Sequence, residues 1–281
     1  MRTLKTSEAA TMLSVSPSTL RAWERRFGYP KPRRSAGRHR LYTHGEIAAL
    51  GDALRQGLSI QSAISRVRES LSGDTDTLIS ALTTLDVAAA DVAMESALAL
   101  RPFDRCVEDV LLQSLDELAG QAGDASATWA LAAEWADGWL RRAQRLAPPP
   151  HRGVTLLLGD AGGGTIDGDG LAIRAFQLFC DRQGIRVITL PIDCVAGLGN
   201  VSSQLDPDAV VIAGSALPVD CALAWARQVA AAVGPLPHAL FRAPKLAAGV
   251  ARSASACVLP DAPHAAQHAL LGCLEHCLVA A

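Results

Sequence analysis

The chain has 281 residues, 49% of them apolar, with 26 Lys and Arg against 28 Asp and Glu. That length asks for two or three domains, and the apolar share supplies their cores, which excludes a wholly disordered chain. No apolar stretch runs unbroken for about 20 residues, so no membrane span is expected.

No basic start is followed by an apolar run, so no signal peptide is expected. The seven cysteines are scattered and odd in number, which fits reduced thiols and a cytoplasmic location. The near-zero net charge conceals a split. Residues 1–70 hold 13 of the 26 basic residues and only 5 of the 28 acidic ones. A basic head on an acidic body implies that the head alone faces nucleic acid.

The head opens with a short helix. Thr6 is its expected N-cap, and Ala9, Ala10 and Leu13 form one apolar face. Ser14-Val15-Ser16 is a polar turn. Ser16 caps a second helix, with Pro17 at the first position, where a missing N–H costs nothing. Leu20 and Trp23 share one face of that helix, and Arg21, Arg25 and Arg26 surround the other. Two short helices joined by a tight turn, the second rich in guanidinium groups, form a helix-turn-helix pattern. Ser18, Thr19, Arg21 and Arg25 are the candidates for reading base edges.

A basic hairpin follows, turning at Gly37. Arg33, Arg34, Arg38 and Arg40 stand on its arms, where forked guanidinium groups match phosphate oxygens, and Tyr42 offers a hydroxyl. Thr43-x-x-Glu46 is a capping box for the next helix, carrying Ile47, Leu50 and Leu54. Ser59 caps another, with Ile60, Ile64 and Val67 at helical spacing. Residues 1–71 thus form a winged DNA-binding head, and Ser72-Gly73-Asp74 is the expected hinge.

Residues 75–147 show helical spacing throughout and are expected to form a four-helix bundle. Pro148-Pro149-Pro150 ends it as a stiff linker. Beyond that, residues 152–281 alternate short apolar runs with helices. Runs beginning at Val154, Arg186, Ala209, Ala239 and Ala256 are strands buried on both faces, which predicts a Rossmann-like, doubly wound parallel sheet. The fold class is therefore mainly α with α/β. Ligands in such sheets sit beyond the carboxyl ends of the strands, so residues 159–170 are a candidate site edge.

The head resembles the MerR family of transcriptional regulators. The resemblance rests on Arg21-Ala22-Trp23-Glu24-Arg25-Arg26-Phe27-Gly28 and on Gly37-Arg38-His39-Arg40-Leu41-Tyr42. It implies a homodimer on an inverted-repeat site in double-stranded DNA, with the second helix in the major groove and the hairpin as a wing.

Head, bundle and sheet together are similar to cobalamin-dependent, light-responsive repressors of the CarH type. That resemblance implies a D-x-H-x-x-G motif whose His ligates cobalt, an S-x-L motif and a Gly-Gly pair. The first aligns with Asp167-Gly168-Asp169-Gly170-Leu171-Ala172, which puts Asp169 in place of His. The second is present as Ser215-Ala216-Leu217. Phe241-Arg242 stands where Gly-Gly belongs. In the bundle, Glu134-Trp135 matches an expected Glu-His pair without its His. Carboxylate is a poor substitute for imidazole on cobalt.

Cobalamin therefore remains possible without its usual His ligand. Another small molecule and a docked protein stay open as the sensed signal. Trp129, Trp135 and Trp139 on one helix either pack it on the sheet or roof a flat ligand, with Asp160, Asp167 and Asp169 opposite. Cys273, Cys277, His268 and His276 lie close in sequence, but a helix face with polar neighbours explains them without a metal. Gly159-Asp160-Ala161-Gly162-Gly163-Gly164 does not fit a dinucleotide fingerprint. No catalytic residues are assigned. A regulator is expected, with a Rossmann-type enzyme as the minor alternative.

Overall fold

The computed structural model describes residues 3–34, 40–163, 166–193, 196–234, 236–250 and 256–280. The chain packs as two compact units, Met1–Glu117 and Leu118–Ala281.

The first unit begins with β1 (Thr3–Lys5), α1 (Thr6–Met12), α2 (Pro17–Phe27), β2 (Arg33–Arg34) and β3 (Arg40–Thr43). Lys5, rather than Thr6, is the N-cap of α1. The Glu8 carboxylate accepts the Lys5 backbone N–H at 2.7 Å, which makes Thr6 the first helical residue. The start of α2 follows the sequence: the Thr19 N–H donates to Ser16 Oγ at 3.0 Å, and Pro17 occupies the first position. β3 is the central strand of an antiparallel sheet, with β1 and β2 on either side. Three residues are too few to show alternation, so β1 had no sequence signal. The wing turn at residues 35–39 lies outside the described residues, as do the side chains of residues 43–46 that carry the expected capping box.

α3 (His44–Arg55) and α4 (Ile60–Thr83) follow, with Ile47, Leu50 and Ile64 joining Ala9, Leu20 and Tyr42 in the head's core. The expected hinge at Gly73 is absent, because α4 runs through it. A glycine inside a helix costs only about 1 kcal/mol relative to alanine. Burial of Leu78, Ile79 and Leu82 further along the same helix outweighs that.

α4 packs against α5 (Val87–Leu100) and against a π-helical stretch, Cys106–Leu112, that follows the one-turn α6 (Phe103–Arg105). Met94, Val107, Val110 and Leu111 are fully buried there. Arg101 pairs with Asp74. The boundary between the two units falls inside α7 (Gln113–Ala122).

The second unit contains α8 (Ala127–Arg145), β4 (Thr155–Asp160), α9 (Gly168–Arg182), β5 (Arg186–Pro191), α10 (Leu198–Leu205) and β6 (Ala209–Ala213). It continues through α11 (Val219–Val233), β7 (His238–Phe241), α12 (Pro244–Val250), β8 (Ala256–Val258) and α13 (Pro263–Ala280). The five strands are all parallel, in the order β5-β4-β6-β7-β8. This is the doubly wound arrangement the sequence predicts, and the chain reverses direction across the sheet between β4 and β6. α9 and α13 cover one face with Ile173, Phe176, Leu270 and Leu274. α10, α11 and α12 cover the other with Leu198, Trp225, Val229 and Leu246.

α8 lies along α9. The buried Asp137 carboxylate accepts from Arg174 Nε at 2.8 Å and also pairs with Arg141. Gln144 Nε2 donates to Asp181 Oδ2 at 2.6 Å. Burial nevertheless pushes the Asp181 carboxyl up to about 6, more than the Gln144 bond pulls it down. The folded state therefore holds this proton more tightly than the unfolded state. The stability it contributes is present below about pH 4 and is lost as pH rises to about 6. Asp181→Asn is expected to flatten that part of the stability–pH curve, as read by urea midpoints at pH 4, 5, 6 and 7. An unchanged curve would count against this assignment.

Candidate nucleic-acid interface and sheet crevice

In the head, α2 exposes Ser18, Arg21, Arg25 and Arg26. Arg21 and Arg25 are four residues apart, so they lie on one helix face. The Ser18 and Thr19 hydroxyls both meet Ser16 Oγ, at 2.7 and 2.8 Å, so they belong to the helix cap as well as to the candidate reading surface. The Arg26 guanidinium lies 5.2 Å from the Phe27 ring centre, which stacks it on the helix end.

The wing strands place Arg33 opposite Leu41 and Arg34 opposite Arg40. The side chains of Arg33 and Arg34 lie outside the described residues, and so does the whole of Arg38. Arg40 and Tyr42 are placed otherwise than the sequence led us to expect. Arg40 Nε donates to both Glu24 oxygens, at 2.9 and 3.2 Å. Tyr42 is 0% exposed, and its hydroxyl donates to Glu24 at 3.4 Å. It is a core residue rather than an outward hydroxyl. Glu24 is the residue that sequence reasoning missed. Its partners lie 16 and 18 positions away, beyond any local pattern.

In the sheet unit, the loop after β4 is drawn tightly against the loop after β6. Ala161 N–H donates to Ala213 O at 2.7 Å, and Leu217 N–H to Ala161 O at 3.0 Å. Gly214 makes this approach possible: its φ is +93°, and a Cβ there would lie 2.9 Å from the Gly162 nitrogen. Ser215 and Leu217 are half-buried beside it.

Each carboxylate of the predicted acidic wall has a partner in its own chain. Asp160 Oδ1 accepts the Gly162 N–H at 2.7 Å, and Asp167 Oδ1 caps α9 through the Gly170 N–H at 2.7 Å. Asp169 Oδ1 accepts from Arg242 Nε at 2.7 Å, and Arg242 Nη1 reaches the Asp261 carbonyl at 3.3 Å. Arg242 sits just past β7 with φ at +49°, a conformation that favours glycine. The backbone there keeps a glycine-like bend while the side chain spans to α9.

On α8, Trp129 and Trp135 are buried, Trp139 is half-buried and Glu134 is exposed. The burial of Trp129 and Trp135 matches helix packing better than an open roof over a ligand. Among the described residues, no three His, Cys, Asp or Glu side chains gather to hold a metal. Cys273 Sγ instead approaches Cys257 Sγ at 2.9 Å, and the His268 ring meets His264 edge-on. The side chains of His276 and Cys277 lie outside the described residues.

Residues 5–42 match the family described as MerR family regulatory protein. The HTH-type transcriptional repressor CarA of Myxococcus xanthus is 41% identical over 71 residues, 24% of this chain and 25% of that protein. The HTH-type transcriptional regulator MlrA is 36% identical over 67 residues in Salmonella typhimurium strain LT2 and 34% in Escherichia coli strain K12. Each match covers 24% of this chain and 27% of the relative. The chain thus matches about a quarter of the length of these curated relatives. A solved cobalamin-binding protein from Desulfitobacterium hafniense DCB-2 superimposes with a TM-score of 0.34 and 13% identity. That match covers 71% of this chain and 98% of that one. No helix of the described residues is long and apolar enough to cross a membrane.

Proposed function

We propose that this chain, which carries a MerR-type helix-turn-helix at residues 5–42, is a cytoplasmic, DNA-binding transcriptional regulator rather than an enzyme. The observation that carries this reading is the exposed pair Arg21 and Arg25 on α2, beside a three-stranded wing whose strand β2 bears Arg33 and Arg34. Such a head spans one short half-site, so two copies bind an inverted repeat. Footprinting on a duplex selected from a random pool tests this. Two protected half-sites related by a two-fold axis are expected, and protection of one isolated half-site contradicts the dimer.

The second unit senses a signal, a small ligand or a docked protein. Its residues do not fit the standard cobalamin arrangement. Asp169 stands at the cobalt-ligand position, and the carboxylate is already engaged by Arg242. Carboxylates suit hard cations better than they suit cobalt in a corrin. Equilibrium dialysis with adenosylcobalamin and methylcobalamin is expected to show weak or absent binding. Micromolar or tighter binding, with light-dependent release from DNA, refutes this and restores the photoreceptor reading.

A further inference from the structure

We infer that Glu24 is a positioning residue that locks the wing to the recognition helix, and that Arg40 acts through Glu24 rather than on a DNA phosphate. The inference rests on the reading of the head as a DNA-binding module and goes beyond it.

Glu24 lies on α2, three residues after Arg21 and one before Arg25, so any shift of its carboxylate carries the reading face with it. Arg40 and Tyr42 lie two apart on β3, the middle strand of the wing sheet, so both point to the same side of that sheet. Both reach the one carboxylate. Arg40 Nε donates to it at 2.9 and 3.2 Å and the Tyr42 hydroxyl at 3.4 Å.

The side chains of Arg40 and Glu24 are only 31% and 21% exposed. Partial shielding from water makes this contact stronger than a surface ion pair. Tyr42 is fixed in the core beside Leu20 and Ile47, so the anchor on the wing side is rigid. Bonding to Glu24 raises the affinity of Arg40 for its proton, in keeping with a committed partner.

A second consequence comes from charge. Glu24 is a carboxylate on a face meant for a polyanion. Without Arg40 its charge would repel the phosphates, so Arg40 cancels an anion as well as holding the wing. A phosphate-binding Arg40 and a locking Arg40 therefore predict different results.

The test is a cycle on the full chain: wild type, Glu24→Gln, Arg40→Gln and the double variant. Each is titrated with the selected duplex over a range of salt. Arg40→Gln is expected to weaken binding about tenfold, and the double variant to be no weaker than Arg40→Gln alone. The slope of log K against log salt is expected to stay as in the wild type.

If Arg40 touches phosphate, the slope for Arg40→Gln falls by about 0.9 and the two losses add, which overturns the inference. Amide hydrogen exchange in the free protein supplies a reading without DNA. Faster exchange along β3 in Glu24→Gln, with the rest of the head unchanged, is expected; unchanged exchange overturns the lock. Failure of the wild type to bind any duplex counts against the DNA reading itself, while the exchange result still judges the lock.

Discussion

Replacing Arg21 or Arg25 by alanine is expected to cost about 1–3 kcal/mol of affinity per half-site of the selected duplex and to relax base preference at one position of each half-site. Both side chains are exposed on α2, and neither supports the head's core, which is built from Leu20 on the opposite face. The loss therefore falls on recognition rather than folding. A dimer presents each residue twice, so a single substitution removes two contacts per complex. Competition titrations against duplexes altered one base pair at a time check this. Equal loss on every sequence would move these residues from base reading to phosphate contact.

The largest stability effect is expected at Trp225. Its side chain is 0% exposed and packs among Leu157, Ile192, Leu198, Val210 and Ile212 on one face of the sheet. A Cβ at Gly159 would come within 3.0 Å of the indole, so β4 carries glycine where the ring lies against the strand. Trp225→Ala leaves a cavity that rigid strands cannot close and should cost about 3–5 kcal/mol. Among the described residues the indole nitrogen has no hydrogen-bond partner, so Trp225→Phe forfeits only volume and should cost less. Urea unfolding, followed by a probe within the sheet unit, measures both, since two units need not unfold together. A loss below about 1 kcal/mol for Trp225→Ala would contradict this account of the core.

Much of the architecture was legible because its signals are local. Ser16-Pro17 marks a helix start within two residues. The runs beginning at Val154 and Ala209 are nearly all apolar and form the buried central strands β4 and β6, whereas the run at Arg186, with Arg186 and Thr189 in it, forms the half-buried edge strand β5. α10 and α12 were missed because eight and seven residues give too little periodicity to stand out from a loop. Gly73 misled because glycine is a breaker on average, whereas here burial further along α4 overrides it.

The candidate sites were legible only in part, because their decisive contacts join distant positions. The charge of Arg40 points to phosphate, and nothing near it in sequence announces its bonds to Glu24. Asp169 stands out against the D-x-H-x-x-G motif, yet its partner Arg242 lies 73 residues on. The left-handed backbone at Arg242 cannot be read from the arginine itself; only the resemblance, which places a glycine pair there, points to a glycine-like bend.

The most direct test of the central claim is titration of the full-length protein with its selected duplex and with a scrambled duplex, across salt concentrations. The account predicts a clear preference for the selected duplex and a log K that falls linearly with log salt, as release of phosphate counterions requires. Equal binding to both duplexes, or binding indifferent to salt, would contradict it.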